Sequence, residues 1–442
     1  MPSPTQDSPL PLTPSGKDAC ILLRSSWQTV NIGDIGHSPG VLSLLEKHLP
    51  QARVILWAQN VDRGVREMLL HRFPQMEIVQ GRIGGSGEDA SEALERAVSE
   101  ADLLLHGSGP SIVARDDVLA WSRATGKPYG LYGITIDPLM KSGEPDGGDL
   151  IERQRETVMA LPADDLSPED REVLDGARFV FCRDTMTLDY LRKQGVTPGQ
   201  LAFAPDGAFG CDLRDDASAD AFMGAHGLEA GRFISVIPRL RYTPYHEIHN
   251  TPQTPVTKRR AEISARHIDA DMSKLAEVVT RWIDHAGLPA LICPEMTYQV
   301  ELGRLLRDEY LPERVRERVV WRPDYWLPDE ACSTFARSCA VLSMDNHSPI
   351  FALAAGIPTV FMRQPTDTIK GQMWHDVGMD EWFFEIDACP ADAISAALLR
   401  IADRPDEARE RVAKIMERVH AWQRDTMAQV GAELVAAQPS TR

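Results

Sequence analysis

The residue with the clearest chemical potential is a histidine that follows an apolar run. His347 ends the sequence S-M-D-N-H, directly after the predicted strand Ala340–Ser343 and at the start of a small-residue helix. The positive end of a helix dipole disfavours an imidazolium, which suits a histidine that exchanges a proton near neutral pH. His347 is therefore the catalytic candidate, with a structural hydrogen-bonding role as the alternative. Ser343 and Asn346 beside it are candidates for binding a donor substrate, and Asp345 is a candidate to line the cleft in which the ligand binds.

Arginines at the ends of two other predicted strands indicate an anionic ligand. Arg183 follows the run 178–182, and Arg239 and Arg241 follow the run 233–237. A guanidinium at a strand end can direct two N–H groups at a carboxylate or a phosphate. The alternative for Arg183 is a surface position beside a helix cap.

A long polar segment, 243–260, follows these arginines and carries His246, His249 and the basic run 258–260. A segment of this length without predicted structure is typical of a lid or a binding loop, and a disordered insertion is the alternative. The two histidines do not predict a metal site, because no carboxylate pattern accompanies them.

Short polar or glycine-rich segments after further strands supply the other candidates. They are N-I-G-D at 31–34, H-G-S-G at 106–109, P-D-G at 205–207 and C-P-E at 293–295. Small residues let backbone N–H groups approach an anion at a helix N-terminus. We expect cleft positions for Asn31, Asp34, His37, Ser108, Asp206 and Glu295. Ordinary turns and helix caps are the alternative for each.

These segments need a scaffold that places several strand ends side by side. Short apolar runs alternate with amphipathic stretches, which is typical of parallel sheets with helices on both faces. The predicted strands are 19–23, 53–56, 102–106, 128–133, 178–182, 233–237, 290–293, 318–321, 340–343, 359–362 and 382–385. The predicted helices include 40–48, 62–72, 89–99, 115–125, 185–194, 390–401 and 407–430, and 140–170 reads as a surface excursion. Ligands of such sheets bind beyond the carboxyl ends of the strands, so one cleft should collect the candidates.

The length of 442 residues fits two domains. The polar, acidic stretch at 212–220 is the predicted boundary between them. We predict a disordered tail at 1–17, an N-terminal Rossmann-like domain at 18–215, a C-terminal Rossmann-like domain at 216–404, and a closing helix and tail at 405–442. The closing helix has the length to cross back onto the first domain.

Composition narrows the partners and the compartment. The net charge is −18, from 47 basic and 65 acidic residues, so the surface repels nucleic acid and anionic lipid. No apolar stretch is long enough to span a bilayer. Seven scattered cysteines without a C-x-x-C pair predict free thiols in a reducing compartment, and hence a cytoplasmic protein without a metal site. The oligomeric state stays open, a homo-oligomer included.

The order of the motifs resembles the polysaccharide pyruvyl transferase family. N-I-G-D, H-G-S-G, R-D at a strand end, P-D-x-A-F, and S-M-x-x-H followed by A-A-G-I-P occur in that order over residues 20–386. The resemblance implies a GT-B architecture, an α/β fold in which two Rossmann-like domains face a cleft. It also implies transfer of the enolpyruvyl carbons of phosphoenolpyruvate to a sugar or glycan as a ketal, with release of phosphate, in exopolysaccharide or cell-envelope glycan biosynthesis.

Residue roles follow from the same resemblance. His347 would protonate the enol methylene, and Arg183, Arg239 and Arg241 would hold the carboxylate and phosphate. Phosphoenolpyruvate is then a substrate, and no cofactor is implied.

One position departs from the family pattern, which is usually S-M-R-L-H. Asp345 stands where an arginine would help to bind the donor, and a carboxylate beside a trianion costs binding energy. A substitute cation from 258–260 or Arg363 would keep phosphoenolpyruvate as the donor. The alternatives are a GT-B glycosyltransferase that uses a nucleotide sugar and an inactive relative that binds a glycan or a partner enzyme.

Overall fold

Two parallel β-sheets form the core of the protein. The computed structural model describes residues 19–85, 91–142 and 148–438. The first sheet contains β1 (Cys20–Ser25), β2 (Arg53–Ala58), β3 (Glu77–Val79), β4 (Leu103–His106), β5 (Tyr129–Ile134), β6 (Phe179–Cys182) and β7 (Leu201–Phe203). The second contains β8 (Ile234–Ile237), β9 (Ala290–Ile292), β10 (Val319–Trp321), β11 (Ala340–Ser343), β12 (Thr359–Arg363) and β13 (Phe383–Glu385).

Helices connect consecutive strands. In the first half they are α1 (Ile32–His48), α2 (Val65–Arg72), α3 (Glu92–Glu100), α4 (Arg115–Thr125), α5 (Pro138–Ser142), α6 (Ile151–Ala160), α7 (Pro168–Gly176), α8 (Thr185–Lys193) and α9 (Asp216–Ala225). In the second half they are α10 (Tyr245–Ile248), α11 (Pro255–Ala286), α12 (Gln299–Leu305), α13 (Glu313–Arg316), α14 (Pro328–Arg337), α15 (His347–Ala354), α16 (Gln372–Val377), α17 (Ala391–Asp403) and α18 (Pro405–Ala437). Shorter helical turns cover Gly207–Gly210, Leu306–Tyr310, Pro365–Gly371 and Asp380–Trp382.

The strand order places the functional segments. The orders are β3-β2-β1-β4-β5-β6-β7 and β10-β9-β8-β11-β12-β13, and neighbouring strands are parallel. The order reverses between β1 and β4 in the first sheet and between β8 and β11 in the second. Ligands of open α/β sheets bind at such reversals. The predicted α/β fold of two Rossmann-like sheets is confirmed.

Several elements differ from the prediction. The three-residue edge strands β3 and β7 were not predicted, because their short, half-buried runs carry little pattern. The region 140–170 is not a surface excursion throughout, since α6 buries Ile151 and Val158. The predicted helix 40–48 begins at Ile32, because the Asn31 side chain caps it and Pro39 is tolerated inside it. Part of the predicted helix 89–99 and the predicted tail 1–17 lie outside the described residues.

The polar segment 243–260 is mostly helical rather than a long loop. It contains α10 and the first turns of α11. Thr254 caps α11 by accepting a hydrogen bond from the Thr257 backbone, and Pro255 takes the first helical position. A capped start explains why a polar run forms a helix here.

The last helix returns from the second sheet to the first. On α18, Thr426 lies 3.2 Å from the Tyr132 hydroxyl, and Trp422 packs edge-on against Phe203. These contacts join α18 to the first sheet. Among the described residues, no helix has the length and apolarity needed to cross a membrane.

Candidate active site

A cavity lies where the carboxyl ends of both sheets meet. Segments that follow β1, β6, β8, β11 and β12 contribute to its wall. The sequence-predicted residues on the wall are Asn31, Asp34, His37, Arg183, Arg239, Asp345, Asn346 and His347. The wall also contains Pro110, Thr243, Tyr245, Met296, Lys370 and Met373, which the sequence did not single out as site residues.

His347 begins α15 and is held by a buried carboxylate. Its Nδ1 lies 3.3 Å from Oε1 of Glu295. The same carboxylate accepts hydrogen bonds from the backbone N–H groups of His347 and Ser348, at 3.1 and 2.6 Å, and from the Ser348 hydroxyl at 2.7 Å. Glu295 therefore caps α15 from outside and sets the orientation of the His347 ring. It supports the cavity from behind instead of lining it.

The Glu295 carboxylate reverses the effect expected from the helix dipole alone. Burial lowers the pKa of His347, but the hydrogen bond to Glu295 and the charges of Glu295 and Asp206 outweigh burial and raise it. Burial opposes ionisation of Glu295, yet the contacts with His347 and Ser348 lower its pKa. The pair therefore favours an anionic Glu295 and a protonated His347, the form that can donate a proton.

The N-I-G-D motif supplies a packing surface for this histidine. A Cβ placed on Gly33 would lie 2.1 Å from Cγ and Nδ1 of the His347 ring. The Asn31 side chain accepts a hydrogen bond from the Gly33 N–H at 2.7 Å, and the Ile32 N–H donates to the Glu295 carbonyl at 2.9 Å. The small residue therefore brings α1 against α15, a packing role that the sequence analysis did not assign to it.

A second histidine, His37 on α1, faces His347 across the cleft. Their Nε2 atoms are 3.1 Å apart, and the rings are inclined at 71°. His37 Nε2 also lies 3.4 Å from Oδ2 of Asp206, which accepts a hydrogen bond from Arg183. Burial opposes ionisation of Asp206, but the charges of His37 and Arg183 outweigh it and lower its pKa. Asp206 is thus an anion behind His37.

Three of these side chains could also contribute metal ligands. One atom each from His37, Asp206 and His347 lies within 4.8 Å of the others. The sequence predicted no metal site, because only the fold brings these distant residues together. Two imidazoles and a carboxylate are a familiar donor set for divalent metals. Here, however, the Asp206 oxygen nearest His37 already accepts from Arg183, and further cations line the cavity, which favours an anionic ligand.

The cations on the wall are Arg183, Arg239 and Lys370. Arg183 Nε donates to the Thr135 hydroxyl at 2.9 Å. Arg239 pairs with Asp367, and its Nε lies 3.6 Å from Asp345. Among the described residues, no carboxylate oxygen lies within 4 Å of the Lys370 ammonium. Burial lowers the pKa of Lys370, although the charge of Asp367 opposes this effect. Lys370 is therefore the cation most available to a ligand.

Lys370 lies in a segment with unusual backbone geometry. Within Pro365–Gly371, Thr368 adopts φ 52° and ψ −140°, a conformation that a β-branched residue rarely takes. Its hydroxyl donates to Asp137, and its carbonyl accepts from Arg363 at 2.9 Å. Such geometry persists only where the surroundings hold it in place. These contacts fix the segment that presents Lys370.

Arg241 does not reach the cavity, which corrects the expectation that it binds the donor. It is buried and forms paired hydrogen bonds with Asp271 at 2.6 and 2.7 Å and with Asp387 at 2.9 and 2.6 Å. Residues two apart in a regular strand would share a face, but the backbone bends at Arg241, so the two side chains diverge. Arg241 ties the segment after β8 to α11.

Two predicted serines shape the backbone of the site without lining it. The Ser343 hydroxyl donates to the Asp345 carbonyl at 2.7 Å and accepts from the Asp345 N–H at 2.9 Å, which fixes the turn after β11. The Ser108 hydroxyl donates to the Tyr132 carbonyl at 3.2 Å and accepts from the Gly207 N–H at 2.7 Å. Both correct the expectation of a direct ligand contact.

Asp345, at the position of the family arginine, is partly neutral. Gln299 Nε2 donates to it at 2.7 Å, and the Asn346 N–H donates at 2.9 Å. Burial, reinforced by the charge of Glu295 and opposed by Arg239, raises the pKa of Asp345 to about 7. A substantial fraction of this carboxyl is therefore protonated at neutral pH.

None of the cations that the sequence suggested as a substitute lines the cavity. Arg363 is fully buried and pairs with Glu385 at 2.6 Å, while the run 258–260 lies on α11 away from the cavity wall. Lys370 follows β12 but was not among the predicted site residues. The other candidates were identified because they follow predicted strands, and the same criterion would have identified Lys370.

A family model described as polysaccharide pyruvyl transferase matches residues 31–364. No curated protein sequence matches the chain at a significant level.

Solved structures with similar folds include UDP-GlcNAc 2-epimerase from Neisseria meningitidis bound to UDP-GlcNAc, with 11% identity, a TM-score of 0.54 and coverage of 93% of this chain and 99% of that one. Alr3699/HepE from Anabaena in complex with UDP has 11% identity, a TM-score of 0.52 and coverage of 94% and 99%. A UDP-glucose:anthocyanidin 3-O-glucosyltransferase in complex with UDP has 10% identity, a TM-score of 0.54 and coverage of 96% and 100%. At these identities the likeness shows the GT-B fold alone.

Proposed function

We propose that this chain, which belongs to the polysaccharide pyruvyl transferase family and is therefore a transferase, takes its pyruvyl group from phosphoenolpyruvate and forms a ketal on a sugar or glycan. The observation that carries the proposal is His347. It lies partly exposed on the wall of a cavity that also presents cations, and a buried carboxylate at Nδ1 supports its protonated form.

His347 fits the role of the acid in the first step. Its proton would bond to C3 of the donor as the electrons of the C2=C3 double bond form the new C–H bond. C2 then becomes electrophilic, and an acceptor hydroxyl attacks it. A positioned acid contributes roughly 10²–10⁴-fold in rate.

The cations fit the two anionic groups of the donor. Arg183 and Arg239 lie on the wall with part of their charge already balanced by Asp206 and Asp367. Lys370 has no such partner within 4 Å among the described residues, so it can bind a phosphate or carboxylate as a point charge. It would also stabilise the phosphate as it departs.

The departure at Asp345 is compatible with this donor. With a pKa of about 7, the carboxyl carries less than a full charge at neutral pH. Its hydrogen bond from Gln299 occupies one oxygen as well. Asp345 therefore repels the donor less than its sequence position suggests, and Lys370 supplies positive charge on the same wall.

We also place the enzyme in the cytoplasm. All seven cysteines are free, and most of them are buried. Free thiols are typical of a reducing compartment.

Two assays test the proposal. Calorimetry measures binding of phosphoenolpyruvate and, in parallel, of UDP-sugars. Phosphate release is then followed with phosphoenolpyruvate and a panel of methyl hexopyranosides, whose paired hydroxyls can form cyclic ketals. We expect the wild-type protein to bind phosphoenolpyruvate and release phosphate. We expect H347Q to bind it and to release phosphate roughly 10²–10⁴-fold more slowly.

The matched control is H285Q, because His285 is half-exposed and pairs with Asp403 far from the cavity wall. Binding of a UDP-sugar without binding of phosphoenolpyruvate would favour a glycosyltransferase. An intact fold without turnover of any donor would favour an inactive relative.

A further inference from the structure

Two histidine–carboxylate pairs meet in the cavity, and the reaction proposed above uses only one of them. His347 with Glu295 belongs to the second sheet, whereas His37 with Asp206 belongs to the first. The two Nε2 atoms are 3.1 Å apart. The pairs are therefore in hydrogen-bond contact across the cleft, although their histidines are 310 positions apart in the sequence.

The contact requires a proton between the rings. Two imidazole nitrogens attract each other at 3.1 Å when one of them donates a hydrogen to the other. Glu295 lies at Nδ1 of His347 and holds a proton on that nitrogen, so neutral His347 presents a lone pair at Nε2. The proton in the gap therefore comes from His37 or from the imidazolium form of His347. The arrangement holds one exchangeable proton at the cavity wall.

His37 is not bonded as a structural histidine would be. Its buried Nδ1 has no hydrogen-bond partner among the described residues, and the Asp34 carboxylate is 4.0 Å away. His106, by contrast, uses both ring nitrogens: Nδ1 lies 2.7 Å from the Gly107 carbonyl, and Nε2 accepts from the Ala114 N–H at 3.2 Å. Buried polar groups are normally satisfied in this way. His37 therefore makes its contacts on the cavity side, toward His347 and the Asp206 anion.

We propose that His37 is a second catalytic residue, which accepts the proton of the acceptor hydroxyl and passes it to His347 through the Nε2–Nε2 contact. The inference rests on the proposed pyruvyl transfer. His37 borders the cavity, but its side chain has no solvent-exposed area, so the acceptor hydroxyl reaches it as the covering side chains move aside on binding. The Asp206 carboxylate 3.4 Å from Nε2 stabilises the imidazolium that forms. Its distance from His347 permits the relay without movement of either helix.

The protons and electrons of the reaction balance through this pair. The proton of His347 bonds to C3, and the first acceptor oxygen bonds to C2 as its own proton moves to His37 and on to His347. The C2–O bond to phosphate then breaks, its electron pair stays on the phosphate oxygen, and that oxygen takes a proton from the pair. The second hydroxyl bonds to the electrophilic C2 that results and gives its proton to His37, which returns it to His347. Two hydroxyl protons are thus delivered, one to C3 and one to phosphate.

A spectroscopic experiment tests the contact without relying on turnover. The full chain is labelled with ¹⁵N-histidine, and its imidazole protons are observed near neutral pH. We expect a deshielded, exchange-protected proton that disappears in both H37Q and H347Q and persists in H285Q. Absence of such a proton from the wild-type protein, or its persistence in either single variant of the pair, would overturn the shared-proton arrangement.

Kinetics test the relay itself, with phosphoenolpyruvate and the methyl hexopyranosides as substrates. We expect H37Q to lower kcat roughly 10²–10⁴-fold, to leave KM for phosphoenolpyruvate near the wild-type value, and to remove one limb of the pH–rate profile. Asp34, Asp206 and His347 are the titratable groups that face His37. If His37 had only a structural role, H37Q would alter the stability of the protein or its KM and would leave both limbs of the pH–rate profile in place.

The outcomes separate the two proposals. If the wild-type enzyme turns over and H37Q is equally active, the relay is overturned and the proposed function is not. A wild-type protein that releases no phosphate with any acceptor overturns the proposed function, and the relay falls with it.

A metal bound by the same three atoms is the competing arrangement. We expect protein treated with EDTA to keep its full activity and its shared proton. Activity that is lost to EDTA and restored by zinc would overturn the proton pair.

Discussion

The backbone of Gly33 lies directly against the imidazole ring of His347, so that a methyl group on its Cα would be 2.1 Å from the ring atoms Cγ and Nδ1. Gly33 belongs to the first sheet's half of the molecule, and His347 belongs to the second. The contact sets how closely the two halves approach at the cavity. It also places His347 within reach of both Glu295 and His37.

The substitution G33A should displace His347. Real Cβ atoms do not approach other heavy atoms to 2.1 Å, so the ring must leave the position in which it contacts Glu295 and His37. We expect kcat to fall by at least the roughly 10²-fold that a positioned acid contributes, with a lower Tm. The control is G224A on α9, where a Cβ meets nothing within 4 Å. That variant should keep its activity, and wild-type kcat in G33A would contradict the packing that we describe.

Removal of the Lys370 ammonium should weaken donor binding. We expect K370M to raise the Kd for phosphoenolpyruvate about 10–100-fold, because a hydrogen bond to a charged group is worth about 1.5–3 kcal/mol. Calorimetry measures the change. K370R should retain most of the affinity, and the exposed-site control K414M should retain all of it. Unchanged binding in K370M would assign the donor site to other cations.

The substitution E295Q should shift the pH dependence of turnover. The Glu295 carboxylate is the main cause that raises the pKa of His347 against burial, and Asp206, Asp34 and His37 also face the ring. The imidazolium that the proposed reaction requires is lost as pH rises through this pKa. Without the carboxylate the pKa falls, so the alkaline limb of kcat/KM should move to lower pH. The surface variant E301Q is the control, and an unmoved limb in E295Q would contradict the role of Glu295.

Asp345 should make stability depend on pH. Its pKa rises from 3.8 to about 7 on folding, so the folded state binds more protons than the unfolded chain between those values. The free energy of unfolding therefore falls as pH rises from about 4 to 7. D345N lacks this group, so its stability relative to wild type should increase across the same window. Urea unfolding at several pH values measures the difference, and parallel curves for the two proteins would contradict the raised pKa.

We expect Arg241 to contribute to the stability of the fold and not to the binding of phosphoenolpyruvate. R241A leaves the buried Asp271 without its partner, which should cost on the order of 3 kcal/mol in the free energy of unfolding. Affinity for phosphoenolpyruvate, measured on the folded protein, should be unchanged. Weaker donor binding with unchanged stability would instead restore the role that the sequence predicted. R404A, which removes an exposed ion pair, is the stability control.

The fold was predictable because its signal is local. Buried parallel strands such as β1 and β11 are short, continuous apolar runs, and each is followed by polar residues that the sheet collects at one edge. Because residues that follow parallel strands meet at one edge of a sheet, His347, Arg183 and Arg239 were expected on the same wall before any distance was known. The edge strands β3 and β7 were not predicted because partial burial leaves little pattern to read.

The supporting contacts could not be predicted, because they depend on tertiary approach. Arg239 and Arg241 have the same type and neighbouring positions, yet only one faces the cavity. Nothing in the sequence around Glu295 shows that its carboxylate caps a helix that begins 52 positions later. The pairing of His37 with His347 likewise appears only once the two sheets face each other.

The central proposal is that His347 is the acid that protonates C3 of phosphoenolpyruvate. Its most direct test is deuterium exchange, with phosphoenolpyruvate and the methyl hexopyranosides incubated with enzyme in D₂O and the remaining phosphoenolpyruvate examined by mass spectrometry. We expect the wild-type protein and H285Q to introduce deuterium at C3, and H347Q to introduce none. Exchange by H347Q at the wild-type rate would contradict the role of His347.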